Sequence, residues 1–326
     1  MSNQEKVFIM ICASLIIFTL YYLIKEYNIK PLVVQFNHGF MRPKVLENNE
    51  KTFRKLGVDV ISFRPNWKVV KRLMKESLVR KGDFCWHCHT GIFSYPMHIA
   101  IKFNVPLVLW GEPSSEYTAY YDYHDNEVEE VDETRFNRFV NLGITAEDMK
   151  GMIKDDFDLE QRDLIPYAYP ELRDLKKLRY RSVCLGSYIP WNVRAQSKLI
   201  MDELEWEGDE VEGIPTDLYP YEKIECAMQG VRDYIKYQKR GYGRVTQMTA
   251  IDIRNNLITK VEAEDYIDRY EGKKPHSLEI FLEYLNMTED EFNETIKKTA
   301  VPPHKPNFKN VLSKRTHDFE KWYREK

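Results

Sequence analysis

Glycine and proline are scarce, 14 and 15 in 326 residues, which excludes collagen-like and low-complexity classes. Cysteine is scarcer and odd in number: Cys12, Cys85, Cys88, Cys184 and Cys226. Scattered thiols of that kind build no disulfide framework and point to a reducing compartment, the cytoplasm. Neither charge sign dominates. Lys plus Arg is 48 against 51 Asp plus Glu, a net charge of −3, so a nucleic-acid binder that works by bulk positive charge is excluded. There is no HExxH, no GxGxxG, no Ser/His/Asp order and no internal repeat. What remains is an ordinary globular balance, 43% hydrophobic and 30% charged, long enough for one large or two modest domains.

One long apolar run stands out. Val7 to Ile24 holds 18 residues without a charge, and a helix rising about 1.5 Å per residue would only just cross a bilayer with it. A membrane anchor is one reading, with Lys25 and Lys30 keeping the body cytoplasmic. The favoured alternative is a buried strand, Lys6 to Cys12, then a helix from Leu15 to Tyr27 capped by Ser14, and a second strand, Leu32 to Phe36, beyond the break at Pro31.

The alternation continues. Helices are expected over Lys44–Leu56, Trp67–Val79 and Ile92–Phe103, with Pro96 near a start or a kink. Strands are expected over Val58–Phe63 and Val105–Trp110. This pattern predicts an α/β fold with a Rossmann-like parallel sheet. Ligands of such sheets bind beyond the carboxyl ends of the strands, here Cys12–Leu15, Asn37–Gly39, Arg64–Asn66 and Gly111–Glu112. Asp122 to Glu133 carries seven acidic residues and no Lys or Arg, a solvated loop. Thr145 to Asp148 has the pattern of a capping box. A C-terminal, α-rich region is expected from about Asp163. It contains a strand at Ser182–Tyr188 and helices at Asn192–Glu205, Ile224–Arg240, Val261–Tyr270 and Ser277–Leu285, with a last helix capped at Thr288. The domains thus expected are 1–30, 31–162, 163–298 and a basic tail, 299–326.

Two groups of residues carry chemistry. Cys85-Trp-His-Cys88-His89 has the spacing of a c-type haem attachment, but a metal site is better founded: Cys85 and Cys88, with His87 or His89 and a distant Cys226, could form a zinc or iron–sulfur set. The alternative is two reduced thiols packed at a helix start. Arg232, Lys236 and Arg240 are spaced i, i+4, i+8, with Arg244 and Arg254 following. Such a face can hold the phosphates of a nucleotide sugar, or can be a solvated face paired with Asp233 and nearby acids.

Six strings together point further: PLVVQFNHGF at 31–40, NNEKTFRKLGVDVI at 48–61, PLVLWGEPSSEY at 106–117, DLIPYAYP at 163–170, LGSYIPW at 185–191 and GVRDYIKYQKRGYGR at 230–244. In them the chain resembles the N-acetyl sugar amidotransferases, a branch of the PP-loop (N-type ATP pyrophosphatase) superfamily, from about Lys30 to about Lys298. The resemblance implies an adenine nucleotide alpha hydrolase-like sheet and a role in LPS, O-antigen or related surface-glycan biosynthesis. It implies ATP with Mg as cofactor, a nucleotide-activated acetamido sugar as substrate, and a separate glutaminase–synthase pair as ammonia donor. ATP would adenylate the acetamido oxygen, releasing pyrophosphate. Ammonia would then add, AMP would leave, and an acetamidino group would remain.

Residue by residue, the resemblance implies that Asn37, Gly39 and Gly111 line the nucleotide, that His89 and Glu112 are catalytic, and that Arg232, Lys236 and Arg244 bind the acidic sugar nucleotide. Cys85 and Cys88 are not part of the family pattern. The chain departs from that pattern at one place. Where the family has its phosphate loop, Ser-Gly-Gly-x-Asp-Ser, residues 11–16 read Ile-Cys-Ala-Ser-Leu-Ile, and the family's N-terminal cysteine-rich segment is missing. Two readings follow: a truncated or frame-disrupted start, or a protein that has lost adenylation and serves as a non-catalytic subunit that binds the sugar nucleotide or the glutaminase. A membrane-tethered version of either is a third.

Overall fold

The computed structural model describes residues 7–11, 14–111, 133–153, 159–309 and 311–316. Cys12, Glu112 and nearly all of the acidic loop lie outside the described residues. The chain forms two compact units, Met1–Leu73 with Cys85–Glu207, and Met74–Phe84 with Gly208–Lys326.

The first unit is built on five strands: β1 (Val7–Ile11), β2 (Leu32–Phe36), β3 (Asp59–Phe63), β4 (Leu107–Trp110) and β5 (Arg181–Cys184). They lie side by side in the order β3-β2-β1-β4-β5, and every neighbouring pair is parallel. Strand order therefore reverses at β1, and the crevice beside β1 and β4 is the switch point where such sheets take ligands. Helices α1 (Ser14–Tyr27), α2 (Pro43–Leu56), α3 (Trp67–Lys81) and α4 (Trp86–Phe103) fill the early crossovers. Shorter helices α5 (Ala146–Met152), α6 (Gln161–Leu164) and α7 (Leu172–Leu178) lead to β5, and α8 (Val193–Leu204) closes the unit.

The uncharged run thus divides into a central strand and a helix whose Ile16, Ile17, Phe18, Leu20 and Leu23 are buried. Among the described residues no helix is long and apolar enough to cross a membrane, so the anchor reading finds no support. On the α4 side of the sheet, Val34 and Phe36 pack with Trp86, Met97 and Ala100. Burying each large apolar side chain contributes about 1.5–3 kcal/mol. Gly91 makes this close approach possible, since a Cβ there would stand 2.2 Å from the Phe36 ring.

Three expectations are corrected. The helix expected from Ile92 begins at Trp86, so Pro96 sits inside it. The last expected strand stops at Cys184 and turns into a 3-10 turn, because the Gly186 amide donates to the Gly111 carbonyl (3.0 Å) instead of extending a ladder. The boundary expected at 162 falls after Glu207, because 181–184 supplies a strand of the sheet.

The second unit is helical: α9 (Gln229–Arg240), α10 (Arg244–Arg254), α11 (Lys260–Tyr270), α12 (Ser277–Leu285) and α13 (Glu289–Lys298). Thr259 and Thr288 close capping boxes at the starts of α11 and α13, each worth about 1 kcal/mol. Buried Glu212 accepts from the amides of His276 (2.8 Å) and Ser277 (3.3 Å) at the start of α12. The tail lies along this unit as a strap. Val301 N donates to Lys239 O (2.8 Å), and Lys274 exchanges bonds with Val311 O (2.8 Å) and Ser313 N (3.0 Å).

Candidate functional site

The carboxyl edge of the sheet gathers the residues expected to line a nucleotide. Asn37 follows β2 and Gly111 follows β4, on either side of β1. The Asn37 amide donates to Phe63 O (2.8 Å), and its side-chain Oδ1 accepts from Gly39 N (3.0 Å). Gly39 has φ +97°, and a Cβ there would lie 2.3 Å from the Trp67 ring, so only glycine fits. His87 Nε2 donates to His38 O (3.3 Å). That contact seats the first turn of α4, with Cys85, Cys88 and His89, beside the end of β2. His89 N bonds Cys85 O (2.9 Å) as part of that turn.

Neither expected cofactor site is matched in full. Cys85 and Cys88 belong to the first unit and Cys226 to the second. Among the described residues no three His, Cys, Asp or Glu side chains are gathered as a metal ion requires. At the start of α1, residues Ile16 to Phe18 are buried and apolar, and the first turn carries no acid. That turn offers neither the glycine backbone nor the carboxylate that the family's loop brings to Mg–ATP. The residues present do not fit a triphosphate held in that way.

The basic face is in the second unit. Gly241, with φ +81°, ends α9, and the chain turns back so that Arg244, at the start of α10, lies against α9. Arg244 Nε donates to both carboxylate oxygens of Asp233 (3.2 Å each), and Nη1 donates to Glu222 Oε1 (2.9 Å). The Arg244 side chain is only 13% exposed, so it is an internal bridge between two acids rather than an open cation.

Lys236 is different. It donates to Gln247 Oε1, and its ammonium lies 5.4 Å from the centre of the Tyr242 ring. Burial pushes its pKa down to about 7. The Arg244 charge adds to that effect, Asp233 opposes it, and Arg232 and Arg240 push the same way. Lys236 is thus a half-buried cation crowded by like charges. An anion placed on this face would restore its proton and relieve the repulsion. The i, i+4, i+8 spacing was readable in the sequence. The roles of Gln247 and Tyr242 were not, because they depend on how α10 folds back.

Residues 216–324 match the family described as LPS biosynthesis protein WbpG-like, C-terminal domain. This part of the chain is similar to that domain. It contains the whole basic face, and the resemblance read from residues 230–244 falls inside it. The match begins eight residues into the C-terminal segment of the second unit, which starts at Gly208. Among solved structures, the chain is similar to the U34-tRNA thiolase NcsA from Methanococcus maripaludis with its 4Fe–4S cluster. The identity is 12% and the TM-score 0.34, over 94% of this chain and 86% of that one. It is also similar to a predicted subunit of tRNA methyltransferase from Methanocaldococcus jannaschii. There the identity is 12% and the TM-score 0.26, over 57% of this chain and 94% of that one. No curated protein matches the chain.

Proposed function

We propose that this protein is an N-acetyl sugar amidotransferase-like protein of LPS, O-antigen or related surface-glycan biosynthesis. It holds the phosphates of a nucleotide-activated acetamido sugar on the α9 face. The observation that carries this reading is the coincidence of a match to the WbpG-like family with a half-buried cation, Lys236, whose pKa burial and then the neighbouring cations lower to about 7. Lys236 is the principal phosphate ligand, and Arg232 and Arg240 flank it. Arg244 holds the face in shape through Asp233 and Glu222. In the full reading, Asn37, Gly39 and Gly111 line a nucleotide, His89 and Glu112 serve the reaction, and a glutaminase–synthase pair supplies ammonia.

A second reading is favoured by the apolar start of α1, which does not fit Mg–ATP. In it the chain binds the sugar nucleotide, or the glutaminase, without adenylating anything. Exchange of labelled pyrophosphate into ATP, dependent on an acetamido sugar nucleotide, separates the two. Exchange above background supports the amidotransferase, and background exchange in folded protein supports the binding role.

The phosphate assignment has its own test. UDP binding should weaken as pH rises above about 7, by up to tenfold per pH unit, because the bound state needs a proton on Lys236 that the free protein is losing. Calorimetry should show proton uptake on binding at pH 8 and its loss in Lys236→Gln. A UDP affinity that is flat from pH 7 to 9 removes Lys236 from the site.

A further inference from the structure

The basic face does not account for a second feature of the helical unit. An open hollow of about 690 Å³ lies between the 210–217 segment, the end of α11 and the strap at 313–316. That is the size class of small-molecule sites, about 300–1,000 Å³. Its walls are chemically distinctive. Tyr270 presents a ring and packs at 6.4 Å from the Tyr266 ring. The Arg269 guanidinium lies over both rings, 4.6 Å from Tyr266 and 5.7 Å from Tyr270. Glu210 and Asp217 present carboxylates, and Asp217 accepts from the Tyr266 hydroxyl on one oxygen, Oδ2 (3.0 Å).

The strap supplies the rest. Ser313 is buried, 7% exposed, and its backbone is clamped from two sides, by Lys274 O (3.0 Å) and by His276 Nε2 (3.2 Å). Yet its hydroxyl, like that of Thr316, is buried with no hydrogen-bond partner among the described residues. A buried polar group left so is unfavourable, and a bound hydroxyl would satisfy it. The hollow also continues toward the basic face. A cavity of about 30 Å³ shares Gly213, Tyr270, Lys273 and Ser313 with it and is bounded on its other side by Asp233 and Arg244.

Three cations also line the hollow, Arg269, Lys273 and Lys314, but each is already engaged, Lys314 by Glu210 (3.5 Å), Arg269 by Asp265 (2.8 Å) and Lys273 by the Arg269 carbonyl, and a phosphate here would also meet the Asp217 carboxylate. A wholly apolar ligand would strand the hydroxyls and acids. A pyranose ring suits it on every wall: its C–H face can lie on Tyr270, its vicinal hydroxyls can donate to Asp217, and the hydroxyls of Ser313 and Thr316 can bond to its ring substituents. We propose that this hollow binds the pyranose ring of a hydroxyl-rich sugar. The assignment rests on the reading above only for the sugar's identity: it would be the acetamido sugar whose phosphates lie on α9.

The test uses the full chain and three variants, Tyr270→Ala, Asp217→Asn and Ser313→Ala, each checked for fold by circular dichroism. Free N-acetylglucosamine and N-acetylmannosamine are probed by saturation-transfer NMR, and UDP and UDP-N-acetylglucosamine by calorimetry. At least one free sugar should give transfer signals that Tyr270→Ala abolishes. UDP-N-acetylglucosamine should bind more tightly than UDP. The gain should fall about tenfold in Asp217→Asn and several-fold in Ser313→Ala, with UDP affinity unchanged. A sugar signal without any UDP binding supports the hollow and overturns the phosphate assignment on α9. No signal from either sugar, or signals and affinity gain unaltered in all three variants, overturns the hollow while leaving α9 untouched.

Discussion

The carboxyl edge of the sheet and the basic face of α9 are both places where a ligand is expected, and they are built on opposite terms. At the sheet edge the polar groups answer one another: Asn37 closes on Gly39, His87 on the His38 carbonyl, and Gly186 on the Gly111 carbonyl. On α9 like charges crowd Lys236, while Arg244 is neutralised by Asp233 and Glu222. The helix face gains electrostatically from an anion that relieves Lys236. The difference shows that strand topology marks where a ligand can sit, while unrelieved charge marks where one would be held.

That contrast can be broken by substitution. The largest effect is expected from Arg244→Leu, which leaves Asp233 and Glu222 buried without their partner. It should cost about 3–5 kcal/mol in urea unfolding. Gly39→Ala comes next, at about 2–4 kcal/mol, from its left-handed backbone and the collision with Trp67. If it costs more than Arg244→Leu, the edge rather than the face is the more tightly determined region.

Lys236→Gln should sharpen the contrast through pH. With the folded-state pKa of Lys236 lowered to about 7 and the unfolded value about 10.4, the unfolded chain binds a proton that the folded chain does not. Stability should therefore rise with pH across that interval. The variant should lose this rise, and a slope that survives in it would point to other groups. The smallest effects are expected at the caps. Thr145→Ala in the first unit and Thr288→Ala in the second should each cost about 1 kcal/mol by thermal unfolding.

Much of the sheet was legible beforehand. Leu32–Phe36 was read to the residue, and Val58–Phe63 and Val105–Trp110 within two residues, because short β-branched runs between helix signals leave few alternatives. The periodicity placed the start of α4 at Ile92, six residues late; the alternative reading of Cys85 and Cys88, as reduced thiols at a helix start, is the one that matches the structure. The helix begins there because Trp86 is buried and its indole donates to Ile144 O (3.0 Å). Helix α10 was missed altogether. Its Val245, Thr246, Thr249, Ile251 and Ile253 are poor helix formers, and its cap comes from a distance: Glu271 accepts from the amides of Gly243 (2.9 Å) and Thr246 (2.6 Å). The hollow beside the strap left no local signal, since Asp217, Tyr270 and Ser313 are far apart in the chain.

Periodicity and residue type, which act over a few positions, were enough to specify alternating strands and helices, the glycine after β2 and a cationic stripe on one helix. Long-range packing settled the rest: which strands neighbour β1, that Arg244 is consumed by two acids, and that Lys236 loses most of its affinity for a proton. Those outcomes depend on burial and on charges brought together from distant segments, and a linear pattern holds no record of either until the chain has folded.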